Sequence, residues 1–107
     1  MQYPKGLIVK VLKRWYYTRP NERIDYSEKK QTWLMPVNAL KLDINRALDF
    51  MEKEYSQKHR DLLFSHYALG KTRKSLCENM GLSAWKFNKI KNTALGVISQ
   101  YLEGMWV

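Results

Sequence analysis

Four residues in the second half of this chain, Trp85, Asn88, Lys89 and Asn92, stand at i, i+3, i+4 and i+7. That spacing gathers side chains on one face of an α-helix. Their chemistry is hydrogen bonding and packing, not bond making. An Asn amide pairs a donor with an acceptor and matches the edge of adenine, a Lys ammonium donates to guanine acceptors or to phosphate, and an indole packs on a thymine methyl. With Ser83 at the head of the face and Lys86 on its flank, the candidate base-reading residues are Ser83, Trp85, Lys86, Asn88, Lys89 and Asn92. The candidate phosphate contacts are Lys71, Thr72, Arg73, Lys74 and Lys91, because cations beside free backbone N–H groups at a helix start suit phosphate oxygens. From Lys71 to Lys91 there are six Lys or Arg and a single acid, Glu78. An ordinary solvated helix surface accounts for Lys86, Lys89 and Lys91. It accounts poorly for Trp85, since a large aromatic has something to cover: a ligand, or the chain's own N-terminal segment.

Residues that could break bonds are sparse. His59 and His66 are seven apart, two turns along one helix face, too far to share a metal, and no Cys pair completes a site. They read as surface or capping residues. Cys77 has basic neighbours, which would suit a reactive thiolate, but its place in the apolar pattern assigns it to packing between two helices. Asp43 with Asp49, and Glu52 with Glu54, are helix charges without a His, Cys or Gly context. No Gly-rich phosphate loop occurs. No catalytic, cofactor-binding or metal-binding residue is therefore expected, and the chain does not read as an enzyme.

The elements that must hold the face follow from capping and period. Thr72 is a good N-cap for a short helix over 73–80, with Leu76 and Met80 inward and Cys77 between them. Gly81 stands where the chain turns sharply with positive φ. Leu82 plugs the turn, and Ser83 caps a long helix running to about Leu102, whose inner face is Phe87, Ile90, Ala94, Val97, Ile98 and Tyr101. This spacing is that of a helix-turn-helix over about 72–102, in which the second helix leaves its N-terminal half open to a major groove. Upstream, Ser56 caps a helix with Leu62, Leu63, Phe64, Tyr67 and Leu69 that Gly70 ends. Pro36 opens another, with Val37, Leu40, Ile44, Ala47, Leu48, Met51 and Tyr55 inward. Residues 5–17 carry both a strand-like alternation (Leu7, Val9, Val11) and a helical one (Ile8, Leu12, Trp15), and the basic spacing favours the helix. No period holds over 18–35, where Pro20 and Asn21 punctuate a loop, a short hairpin or an arm bearing Tyr26 and Trp33. The expected fold is an all-α domain over 36–107, preceded by a basic segment and loop or arm over 1–35.

Composition limits the partners. In 107 residues, 19 Lys plus Arg against 10 Asp plus Glu give a net charge of +9, which favours a polyanion: DNA, RNA or an anionic membrane. The hydrophobic fraction of 45% is too high for a disordered chain. A single Cys permits no internal disulfide and fits a reduced cytoplasm. Lys10 and Lys13 interrupt the apolar run Leu7 to Leu12, so no signal peptide is expected. No segment approaches the roughly 20 apolar residues that span a bilayer, and no membrane partner is expected.

Residues 59–104, HRDLLFSHYALGKTRKSLCENMGLSAWKFNKIKNTALGVISQYLEG, resemble the helix-turn-helix domain of sigma factors that reads the −35 promoter element. They are still more similar to bacteriophage late-gene regulators of the antitermination protein Q type. HYALGKTRKSL leads into the short helix, Gly81-Leu82-Ser83 is the turn, and ALGVISQYLEG is the small apolar tail. The basic, Trp-containing KVLKRWYY over 10–17 also resembles the N-terminal helix of such proteins. The chain lacks the Cys pairs of a zinc finger. The resemblance implies a factor of the bacterial cytoplasm and nucleoid that binds double-stranded DNA beside a late promoter and engages RNA polymerase, which then passes terminators. It implies that Trp85, Lys86, Asn88, Lys89 and Asn92 read DNA while the N-terminal region meets polymerase. A second reading uses the same fold as a protein-interaction module, an inhibitor or recruiter of a host protein. It draws on Trp15, Tyr16, Tyr17, Trp33 and Trp106, with Met105-Trp106-Val107 as a docking tail or a core cap. A repressor or a DNA-packaging subunit remains within the DNA-binding class. No heptad seam is long enough to assert a dimer.

Overall fold

The computed structural model describes residues 3–19, 21–28 and 31–104; the expectation for the Met105–Val107 tail lies outside them. Near the N-terminus, α1 (Lys5–Lys13) buries Leu7, Ile8, Val11 and Leu12. Those positions form one helical stripe, whereas a strand would have aligned Val9 with them, and Val9 is only partly buried. The helical period therefore wins.

Residues 23–36 correct the all-α expectation. β1 (Arg23–Glu28) and β2 (Gln31–Pro36) pair antiparallel, with Tyr26 opposite Trp33 and Ser27 opposite Thr32. The inward face carries Ile24, Tyr26, Trp33 and Met35. The Tyr26 and Trp33 rings lie 6.0 Å apart across the pair, and the Ser27 and Thr32 hydroxyls are 3.1 Å apart on the other face. Tyr26 presses onto the first turn of α1, where a Cβ on Gly6 would stand 1.9 Å from its hydroxyl oxygen. The mostly helical domain thus carries a small sheet packed on its first helix, not a loose arm.

Pro36 ends β2 and caps α2 (Val37–Phe50) instead of opening its first turn, and the Val37 N–H donates to the Glu22 carbonyl to close the hairpin's base. As expected, Val37, Leu40, Ile44, Ala47, Leu48 and Met51 are buried. Tyr55 is not; the chain widens into a π-helical turn (Met51–Tyr55), and Tyr55 is 44% exposed with its ring edge-on to His59. α3 (Gln57–Tyr67) begins at Ser56, whose Oγ accepts from the His59 N–H, and stops short of Leu69, which is exposed. α4 (Arg73–Met80) and α5 (Ala84–Leu102) complete the chain.

Two apolar clusters result. The larger joins α1, the hairpin, α2 and α3 to Ala94, Leu95, Val97 and Ile98 of α5. α1 and the hairpin therefore share the main core with the later helices. The smaller consists of Leu62, Leu76, Phe87 and Ile90, with Cys77, Met80 and Leu82 at its edge. It fastens α4 to α3 and to the N-terminal half of α5, so α5 belongs to both clusters. Each buried Leu, Ile or Phe contributes about 1.5–3 kcal/mol by leaving water.

Candidate nucleic-acid interface

The turn between α4 and α5 is built from three residues. Gly81 has φ 66° and ψ 39°, the left-handed conformation, and its N–H and that of Leu82 both reach the Cys77 carbonyl. Leu82 packs on the smaller cluster. Ser83 Oγ accepts from the Lys86 N–H at 3.1 Å, and Thr72 Oγ1 accepts from the Ser75 N–H at 3.1 Å. Both expected caps are thus in place. Each hydroxyl keeps a proton to donate, so capping does not spend Ser83 or Thr72 as contacts. Cys77 departs from its expected burial: it is half-buried at the cluster's edge, with Sγ 3.9 Å from the Ser83 carbonyl oxygen.

The outer face of α5 is open along its N-terminal half. Trp85 is 66% exposed, and Lys86, Lys89 and Asn92 are exposed. Asn88 and Lys91 are half-buried on the flank. Trp85 and Lys89 meet, with the Lys89 Nζ 4.9 Å from the indole centroid. Farther along, the N-terminal segment crosses the same helix: Ser99 Oγ donates to the Tyr3 carbonyl at 2.8 Å, and Lys5 lies beside Gly96. Among the described residues, the N-terminal segment thus meets α5 from about Asn92 onward, and Trp85 stays exposed.

Lys71, Thr72, Arg73 and Lys74 are all exposed around the start of α4. The chain before them is pinned by His66, which the sequence assigns a surface or capping place. His66 Nδ1 lies 2.9 Å from the Lys71 carbonyl oxygen, and its ring stands edge-on to Phe87 at 5.1 Å. His66 thus links the approach to α4 with the core face of α5. The signal available was a His within reach of the loop it serves, which is intelligible only once α3 and α4 are known to fold back on each other. The His59 ring meets the capping residue, its Nδ1 lying 2.9 Å from Ser56 Oγ.

The cations of this face are unspent. Among the described residues the ion pairs are Arg14–Glu22, Arg60–Glu52 and Arg60–Asp61. None uses Lys71, Arg73, Lys74, Lys86, Lys89 or Lys91. Six positive charges, three around the start of α4 and three along the N-terminal half of α5, thus stand without carboxylate partners, and attraction of anions to such a cluster would weaken with salt.

No cluster of three or more His, Cys, Asp or Glu that could hold a metal occurs among the described residues. No helix among them is long and apolar enough to cross a membrane. Compared with known proteins, the chain matches no family model, no curated protein and no solved structure.

Proposed function

We propose that this chain is a DNA-binding transcription regulator in which α4, the Gly81 turn and α5 act as a helix-turn-helix, with the N-terminal half of α5 entering the major groove. The observation that carries the reading is the uncovered outer face of α5, where exposed Trp85 and unpaired lysines stand with Asn88 and Asn92. Asn88 and Asn92 read base edges, Lys89 reads guanine or a phosphate, and Lys71, Arg73 and Lys74 hold the backbone. In its sharpest form the protein is a phage late-gene antitermination factor that acts on bacterial RNA polymerase at promoter DNA. The exposed pair Tyr16 and Tyr17, 63% and 78% accessible, supplies a surface for such a protein partner.

The test is selection of bound duplexes from a random pool, followed by a salt titration on the selected site. A defined site is expected, with log affinity falling linearly against log salt at a slope of about −0.9 per phosphate contacted. Absence of duplex binding, together with a protein partner retained after nuclease treatment, favours the interaction-module reading instead. Tyr16 and Tyr17 are the observation on that side.

A further inference from the structure

The open face of α5 does not end at Asn92. It runs into a groove of about 450 Å³ lined by Lys5, Tyr55, Asn92, Thr93, Gly96 and Gln100, together with Val97. No carboxylate lines it. Gly96 stands four residues after Asn92, about 6 Å farther along the helix and near the same azimuth. Because Gly96 carries no side chain, Lys5 lies there, its Cε and Nζ each 3.9 Å from where a Cβ would be. Among the described residues this ammonium makes no ion pair. Lys5 also lines a second cavity together with Glu28 and Glu103, and neither carboxylate pairs with it.

We infer that Lys5 is a phosphate contact at the far end of the face that reads DNA, so that the N-terminal helix completes the interface. The inference rests on the DNA-binding reading. From Trp85 to Gly96 is eleven residues, about 16 Å along α5. The major groove is about 12 Å wide between its backbone walls. Lys86 sits at one end of this span and Lys5 at the other. A helix laid in the groove therefore presents positive charge to both phosphate ridges, with Asn88, Lys89 and Asn92 between them. Lys5 specifies no base; with α5 crossing the groove, it fixes where the helix sits between the two ridges.

The test compares the wild-type chain with Lys5→Ala, Lys5→Arg and Lys10→Ala on the selected duplex and on an unrelated one. Lys10 is a control because its ammonium is engaged with the Asp25 carbonyl at 2.6 Å. Lys5 is exposed at the first position of α1, and thermal melting checks that the variants fold. Lys5→Ala is expected to weaken both duplexes about tenfold, as for one lost charge-assisted contact. It is also expected to make the slope of log affinity against log salt shallower by about 0.9. Lys5→Arg retains the slope, and Lys10→Ala leaves it unchanged. Wild-type binding with an unaltered slope in Lys5→Ala overturns the assignment of Lys5 while leaving the DNA reading standing, as does a loss confined to the selected duplex. A wild-type chain that binds neither duplex overturns both.

Discussion

The Lys89 ammonium stands 4.9 Å from the centroid of the Trp85 ring, one helical turn away on the outer face of α5. The indole draws the cation back along the helix toward its N-terminus and fixes where the charge is presented. Trp85 is 66% exposed, so Trp85→Ala is expected to change folding stability by no more than about 0.5 kcal/mol. Duplex affinity is expected to fall by about 1 kcal/mol or more, roughly fivefold. Urea unfolding and a binding titration separate the two effects, and a large stability loss with intact binding would assign Trp85 to packing.

Substitutions across the face should divide into two classes. Asn88→Ala or Asn92→Ala is expected to relax preference at one base pair by about 1–3 kcal/mol while leaving non-specific affinity nearly unchanged. Lys71→Ala or Lys74→Ala is expected to weaken every duplex alike and to reduce the salt slope by about 0.9 each. Competition with single-base variants of the selected site reads the first class, and salt titration the second.

Gly81 offers a test of backbone conformation without packing. With φ at 66° and nothing within 4 Å of an added Cβ, Gly81→Ala is expected to cost about 1–2 kcal/mol from the left-handed backbone alone. Asn visits that region more readily, so Gly81→Asn should cost less than Gly81→Ala. Equal losses in the two variants, measured by denaturant unfolding, would mean that something other than the dihedral governs the turn.

At the start of α3, burial holds the His59 pKa below its ordinary value of 6.5, and Lys58 adds repulsion in the same direction. The unfolded chain therefore takes up its proton first as pH falls. The contribution of His59 to stability is complete above pH 6.5, declines below it, and levels off beneath the folded-state pKa. Comparing unfolding on either side of that pH in the native chain and in His59→Gln should show a shallower decline in the variant.

The second half of the fold was legible because each boundary carries a local cause. Thr72 and Ser83 are side-chain caps, Gly81 is the residue a left-handed turn admits, and Leu76, Phe87 and Ile90 repeat at helical spacing. The hairpin is one of three readings that the sequence leaves open for residues 18–35. Its alternation is confined to Ile24 with Tyr26 and Trp33 with Met35, and Lys29-Lys30 between the strands carries none of the Gly or Asn residues that announce a tight turn. Its inward face is recognisable only once α1 is known to lie beneath it. The same is true of the site. The lysines and asparagines of α5 could be placed on a wheel, but neither the His66 contact with the Lys71 carbonyl nor the approach of Lys5 to Gly96 follows from periodicity, since both depend on helices meeting in space. Cys77 was placed in the right cluster and given too much burial, because the apolar pattern specifies a side of the helix and not the depth at that side.

α5 runs unbroken from Ala84 to Leu102, with Phe87 and Ile90 seated in one apolar cluster and Ala94 to Ile98 in the other. Its 19 residues measure about 28 Å. A beam clamped near both ends has no joint at which its tip can swivel independently of the trunk. Whatever grips the trunk is thereby held at a set bearing to whatever lies along the tip, with the separation counted in helical turns and not tuned by a linker.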